Sequence, residues 1–300
     1  MGEVKSALRS HVGRVRSVNE DYGWVGQLQG GLSAAIVADG MGGHLAGEIA
    51  SGLAVESLVQ SLREWKEDLS AKESEERMRD MIRKANEVVF NTASLNKRYR
   101  NMGTTVVVAL LNEKEGLIGH IGDSRAYRIR DGQLSLITDD HTLVNELAKM
   151  GQLTPEEAQH HPRRNVLTRA LGTERDVAID IRRIDWMPGD QLLLCSDGLS
   201  GMVDDEALLS TMTDPSLDLE QKAERLVELA LAAGGEDNVT VALVGYEPDE
   251  ASGGAGGSAN GSAGSGPDGG ANGNAGSGPD GGANGDAGSG SNGGAEGMPA

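Results

Sequence analysis

Four aspartates stand where apolar chain stops or starts. Residues 32–38 form an apolar run that ends in Asp39-Gly40. Residues 116–121 run into Gly122-Asp123, and residues 191–195 into Ser196-Asp197-Gly198. Asp237-Asn238 opens the run at 239–245. A lone Asp-Gly is ordinary turn chemistry, because both residues tolerate turn geometry, and Asp131-Gly132 reads that way. Four recurrences at strand ends would gather several carboxylates on one rim of a sheet. Gathered carboxylates repel and need a compensating cation. Oxygen-only donors select hard ions, Mg²⁺ or Mn²⁺, and the chain has neither a Cys cluster nor an H-E-x-x-H pattern to favour zinc. Arg16-Ser17-Val18-Asn19-Glu20-Asp21 adds two acids and one arginine. Beside Asp39 it would bring a fork-shaped cation to ion-bound carboxylates, a combination that suits a phosphate group. On its own the segment reads as a solvated surface turn.

These residues need elements to hold them. The runs 32–38, 104–111, 116–121, 191–195 and 239–245 are rich in Val, Ile and Leu and are bounded by Gly, Asp and Asn, as strands are. Residues 126–130 and 133–137 alternate around Asp131-Gly132, a hairpin signal. Residues 47–62 place Ile49, Leu53, Ser57, Leu58 and Leu62 near one helical face. Residues 74–93 and 217–233 also read as amphipathic helices, the second stopped by Gly234-Gly235. Thr154-Pro155-Glu156-Glu157 supplies an N-cap, a proline at the first helical position and a capping-box glutamate. Hairpins mixed with helices predict layered α and β structure with a largely antiparallel sheet. The topology does not follow from the pattern alone.

Composition separates the 300-residue chain into two parts. Residues 251–300 hold 20 of the 44 glycines and no Lys, Arg or aromatic residue. They repeat the frame A-N-G-x-A-G-S-G with a period of 12, at 259–270, 271–282 and 283–294. Without apolar positions to stack, this cannot be a solenoid, and it is expected to be a disordered tail. The boundary is set at 1–247 for the folding domain and 248–300 for the tail. The formal charge is −19, from 27 basic and 46 acidic side chains. An acidic core argues against nucleic-acid binding and against anionic membranes, and scattered aromatics give no stacking platform. Cys195 is the one cysteine, so there is no internal disulfide. No apolar run approaches the ~20 residues of a membrane span, and no secretory segment is evident. A reducing, cytoplasmic setting is expected.

With these pieces assembled, the sequence resembles the metal-dependent serine/threonine protein phosphatases of type 2C, in particular the bacterial members. Motifs occur in family order: R-S-V-N-E-D at 16–21, V-A-D-G-M-G-G-H at 37–44, N-M-G-T-T at 101–105 and H-I-G-D-S-R at 120–125. D-D-H-T-L-V at 139–144, N-V-L-T-R-A-L-G at 165–172, C-S-D-G-L at 195–199 and G-G-E-D-N-V-T at 234–240 complete the series. Each is weak alone; eight in order across residues 5–247 are specific.

The resemblance implies an α+β fold, two packed and mostly antiparallel β-sheets flanked by α-helices in a four-layer αββα sandwich. It implies two Mn²⁺ or Mg²⁺ ions, with a third, weaker one in bacterial members. Glu20 matches the ligand of one ion, Asp39 the acid that bridges both, and Gly40 the residue whose carbonyl assists Glu20. Asp197 and Asp237 match the acids on the other ion, and Asp123 joins Asp197 around the third. Asp21 matches an acid that holds ion-bound water, and Arg16 the arginine on the substrate phosphate. Residues 141–175 match a mobile flap. Some members, notably animal ones, have a histidine after the first Asp-Gly, proposed as general acid; here Met41 stands there and cannot donate a proton. His44 is one substitute, ion-bound water another. His120, His141 and Cys195 are expected to be orienting or packing residues. The implied reaction is hydrolysis of phosphoserine and phosphothreonine by an ion-activated water, opposing a Ser/Thr kinase and acting on its targets, by a monomer. A turnover-dead phosphoprotein-binding regulator and a hydrolase of small phosphoesters are the alternatives.

Overall fold

The computed structural model describes residues 3–42, 46–66 and 69–247. The repeat tail read at 251–300, and His44, lie outside the described residues. In chain order the elements are β1 (Glu3–His11), β2 (Asp21–Gln27), β3 (Ser33–Met41), α1 (Ala46–Arg63), α2 (Ala71–Leu95), β4 (Gly103–Thr104), β5 (Val106–Leu111) and β6 (Glu115–Ile121). There follow β7 (Arg125–Arg130), β8 (Gln133–Leu136), α3 (Leu143–Lys149), α4 (Pro155–Gln159), β9 (Asp180–Asp185) and β10 (Gln191–Cys195). The last four are α5 (Asp197–Ser200), α6 (Asp205–Thr213), α7 (Leu219–Ala232) and β11 (Val239–Glu247).

One sheet has the order β1-β11-β10-β7-β8; the other runs β2-β3-β5-β6-β9, with β4 added to β3. All the strand pairings are antiparallel. Side chains alternate along a strand, so β3 serves two cores at once. Ala34, Ile36 and Ala38 pack with α1 and α2, whereas Ala35 and Val37 meet Leu192, Leu194, Ala242 and Val244 of the other sheet. A third cluster sets Leu193, Val241 and Leu243 against α6 and α7. The result is four layers, helices on the outside and two sheets within, as the resemblance implied. Strands buried on both faces read as unbroken apolar runs, which is why β3, β5, β10 and β11 were legible.

Local departures have local causes. The run 104–111 is broken at Thr105, which stands between β4 and β5. The second long helix begins at Ala71 because Ser70 and Glu73 form a capping box ahead of the apolar pattern. The face of α1 against the sheet is centred on Ala50, Ser51, Ala54 and Leu58, with Ile49 and Leu53 only partly buried. Small residues there let the helix backbone approach β3. Asp131 and Gly132 take φ of 51° and 71°, the left-handed pair a two-residue hairpin needs. Thr154 and Glu157 form the expected capping box.

Candidate active site

Asp39 sits at the break in the sheet. β3 pairs with β5 through residues 33–37 and with β4 at Gly40 and Met41. Between them, the Asp39 backbone is taken up by threonines. Its N–H donates to Thr105 Oγ1 at 2.9 Å, and its carbonyl accepts from Thr105 N at 2.8 Å and Thr104 Oγ1 at 2.9 Å. Thr105 Oγ1 continues to Ser124 Oγ at 2.7 Å, next to Asp123. One hydroxyl therefore fixes two of the expected acids relative to each other.

On the other side of β3, Asp21 lies in register with Asp39. Asp21 is buried, and its Oδ2 accepts from Ser196 Oγ at 2.7 Å. Ser196 Oγ in turn accepts from Thr240 N at 3.0 Å, so a polar chain ties the two sheets together at this edge. Burial, then repulsion from Asp197 and Asp237, pushes the Asp21 carboxyl up to about 7. Burial and the charges of Asp21, Asp197, Asp123 and Asp237 hold Asp39 well above the usual carboxylate range. Asp197, at the start of α5, is raised by burial and by Asp237. Asp123 is pushed to about 7 by burial and by Asp197 and Asp140. The predicted acids from five separate stretches of sequence thus crowd one edge and repel one another.

Glu20 is placed by backbone. Its carbonyl accepts from Gly40 N at 3.1 Å and Ser51 Oγ at 2.6 Å, and its N–H donates to Asn238 Oδ1 at 2.7 Å. Its carboxylate is hydrogen-bonded by the Gly47 backbone in the first turn of α1. A Cβ on Gly47 would lie 2.6 Å from Glu20 Oε1, and one on Gly40 would lie 2.1 Å from the Gly47 carbonyl oxygen. Both glycines are required by this close approach. Burial raises the Glu20 carboxyl despite that hydrogen bond.

Arg16 Nη2 meets Asp237 Oδ2 at 2.8 Å, and the arginine is half-exposed. Asn238, buried beside it, donates to the carbonyls of Val12 (2.8 Å) and Val18 (3.0 Å) while accepting from Glu20 N. It staples the loop bearing Arg16 and Glu20 to the loop bearing Asp237. Asn238, Thr105, Ser196 and Gly47 were not singled out from the sequence. The first three fall inside motifs quoted for other residues, and Gly47 has no signal beyond its place at a helix start.

The donor set fits hard divalent ions. It is all oxygen, it is self-repelling, and Glu20 Oε1, Asp21 Oδ1 and Asp197 Oδ1 are buried without a hydrogen-bond partner. A second group, His120, His141 and Asp180, has ligand atoms within 4.8 Å of one another. The two imidazoles are stacked at 4.6 Å with planes 20° apart. Planes so nearly parallel meet roughly 10 Å or more away, far beyond the ~2 Å of a metal–nitrogen bond. Both rings instead serve the backbone: His141 Nδ1 accepts from Gly122 N at 3.1 Å, and His120 Nε2 pairs with the Asp139 backbone. Burial, then the neighbouring His120, lowers His141 to about 4. Cys195 is fully buried and pushed up to about 12 by that burial, so it is a packing residue. Met41 ends β3 opposite Gly103. The segment read as a flap leaves and returns through adjacent residues, Thr168 N donating to the His141 carbonyl at 2.8 Å.

Residues 9–232 match the family profile described as protein phosphatase 2C. The chain belongs to the protein phosphatase 2C family. It is 40% identical over 241 residues to the serine/threonine phosphatase stp of Listeria monocytogenes, covering 80% of this chain and 95% of that one. The Mycobacterium tuberculosis serine/threonine phosphatase PstP/Ppp superposes with a TM-score of 0.74 at 37% identity, over 83% of this chain and all of the other. A structure of the PstP catalytic domain in complex with two manganese ions superposes with a TM-score of 0.70 at 36% identity, over 82% and 99% of the two chains. Among the described residues of this phosphatase 2C member, no helix is long and apolar enough to cross a membrane.

Proposed function

We propose that this protein hydrolyses phosphoserine and phosphothreonine on proteins, with the crowded carboxylate edge as its catalytic centre. The observation that carries the reading is the convergence of Glu20, Asp39, Asp197 and Asp237 on one edge with the Arg16 guanidinium 2.8 Å from Asp237. Glu20, Asp39 and the Gly40 carbonyl would hold one divalent ion, Asp39, Asp197 and Asp237 the second, and Asp123 with Asp197 a third. When bound, Mn²⁺ or Mg²⁺ supplies an activated water at neutral pH and offsets phosphate charge.

The chain's own residues do the rest. Arg16 spends one N–H on Asp237. A guanidinium has five donors, so the remainder of its fork is available to the phosphate oxygens. Asn238 and Gly47 fix Glu20, and Thr105 fixes Asp39 against the Asp123 loop. Asp21, buried and held by Ser196, is positioned to accept a hydrogen bond from water at the centre through its unpartnered Oδ1. Met41 offers no proton to the leaving alkoxide; His120 Nε2 pairs with the Asp139 backbone and His141 Nδ1 accepts from Gly122 N, while His141 Nε2 is buried 3.4 Å from Asp180 Oδ2. The expected partners are phosphoproteins, a Ser/Thr kinase and its targets, met by a monomer in the cytoplasm. The catalytic domain is 1–247, and 248–300 is a tail.

The test compares turnover of p-nitrophenyl phosphate, a phosphothreonine peptide and a nucleotide, each with Mn²⁺ and with chelator. Metal-dependent turnover of the peptide is expected. Turnover of the nucleotide alone, or none at all with p-nitrophenyl phosphate inert, would overturn the reading.

A further inference from the structure

A pocket of about 470 Å³ opens beside the carboxylate edge, between the end of α2 and the loop after Leu171. Phe90 and Ala93 give it an apolar side, Ser94, Asn101 and Thr173 line it with polar groups, and Lys97 and Arg100 bring two cations. None of its lining residues is acidic, in a chain of net charge −19. Lys97, Arg98 and Arg100 are exposed, and none forms an ion pair among the described residues. Two cations with no ion pair among the described residues, in a concave site of an acidic protein, form a local well for an anion.

The pocket walls are fixed, and they are fixed to Asp39. Asn86, fully buried on α2, accepts from Gly172 N at 2.7 Å and donates to the carbonyls of Glu174 and Arg175 at 3.0 and 2.9 Å. Gly172 has φ of 82°, and a Cβ there would lie 2.3 Å from Val89. Leu171 exchanges backbone hydrogen bonds with Thr104, and β4 in turn pairs with Gly40 and Met41. The pocket residue Asn101 takes the left-handed φ of 66°, and its carbonyl oxygen lies 3.4 Å from where a Cβ on Gly42 would stand. A Cβ on Gly103 would lie 3.0 Å from Thr173 Cγ2 and 3.7 Å from Met41 Cε. Two ladder spacings of ~4.8 Å therefore separate the strand of Asp39 from the pocket wall, about 10 Å in all. That is the span of about three residues of extended peptide at ~3.3 Å each.

We propose that this pocket binds an anionic side chain of the substrate, a carboxylate or a second phosphate, two to four residues from the phosphoresidue being hydrolysed. Lys97 and Arg100 supply the charge, and Asn101 a side-chain amide that can donate to the anion; the hydroxyls of Ser94 and Thr173 already donate to the carbonyls of Phe90 and Ala170. The inference rests on the protein-phosphatase reading and adds a sequence preference to it. It acts on substrate capture, so it belongs in KM, with kcat unchanged.

The experiment uses the full chain with Mn²⁺ and a set of phosphothreonine peptides. Glutamate, alanine or a second phosphothreonine occupies one position, two to four residues to either side. An anion at one of these positions is expected to lower KM about 3- to 10-fold against alanine, the scale of one or two exposed charge contacts. The gain should shrink between about 0.05 and about 0.5 M salt, because exposed charges are screened. A gain with glutamate identifies a carboxylate as sufficient; a gain confined to the second phosphothreonine identifies phosphate. Lys97→Gln with Arg100→Gln should erase the gain and leave p-nitrophenyl phosphate turnover unchanged. Lys97→Glu should move the preference to a peptide with lysine at the same position. Equal KM for all peptides, or a gain that survives the double substitution, overturns the pocket assignment and leaves the phosphatase reading intact. Turnover of p-nitrophenyl phosphate with no turnover of any peptide overturns the phosphoprotein reading, and the pocket assignment with it.

Discussion

Arg16 and Asp237 are joined by a 2.8 Å contact between Nη2 and Oδ2 across a sequence separation of 221 residues. The arginine expected on the substrate phosphate thus rests on a carboxylate expected on an ion. Arg16→Ala should raise KM for a phosphopeptide about 10- to 150-fold, the loss of a charge-assisted hydrogen bond worth roughly 1.5–3 kcal/mol. Metal affinity, read by calorimetry, should not weaken, because the substitution removes a cation that competes for Asp237. A fall in kcat as well would mean that Arg16 holds the transition state more tightly than the substrate. An unchanged kcat/KM would remove it from the site.

Asp39→Asn should nearly abolish turnover at saturating Mn²⁺. Asp39 is surrounded by Asp21, Asp123, Asp197 and Asp237, and the substitution takes the central charge from both expected ion shells while keeping the side-chain shape. Near-normal turnover would remove the metal assignment. Asp197→Asn should behave in the same way.

Asn238→Ala should cost both stability and activity. It leaves the part-buried Glu20 N–H and Val12 and Val18 carbonyls without their partner, at up to about 1–3 kcal/mol for each one that water cannot reach. Denaturant melts and phosphopeptide assays on the same preparation should show both losses, with apparent Mn²⁺ affinity falling because Glu20 is no longer held. Wild-type stability would refute the staple.

His141 gives a pH prediction. Its pKa is lowered to about 4 from an ordinary 6.5, so the unfolded chain takes up a proton before the folded chain does. Its contribution to stability is full above about 6.5 and is lost as pH falls through about 4. His141→Gln, which keeps an acceptor for Gly122 N, should flatten the decline of the thermal midpoint between those pH values. Parallel curves for the two proteins would show that His141 is not a group whose titration matters there.

Removal of residues 251–300 should leave phosphopeptide turnover and the thermal midpoint nearly unchanged. Every residue placed at the carboxylate edge lies within residues 16–240. A large fall in either quantity would show that the repeats act on the catalytic domain.

The sequence alone pointed to the family and to the acids expected at this site. Strands buried on both faces are continuous Val-, Ile- and Leu-rich runs, so β3, β6, β10 and β11 could be found, and with them the acids at their ends. Motif order then supplied the family and the expected role of each acid. The polar or short elements were not legible: β1 alternates weakly, β2 carries two glycines, β9 is mostly charged, and α3, α5 and α6 are short. Their conformation is set by pairing with neighbours rather than by their own pattern. Only the tertiary structure decided that Asp21 and Asp39 share a register, that Thr105 interrupts a ladder to hold Asp39 beside the Asp123 loop, and that Asn238 ties two distant loops together. It also decided that His120 and His141 stack face to face rather than converge on an ion. Each is a contact between residues far apart in sequence, and a one-dimensional pattern records which side chains are present but not which backbone groups they must satisfy once the sheets are packed.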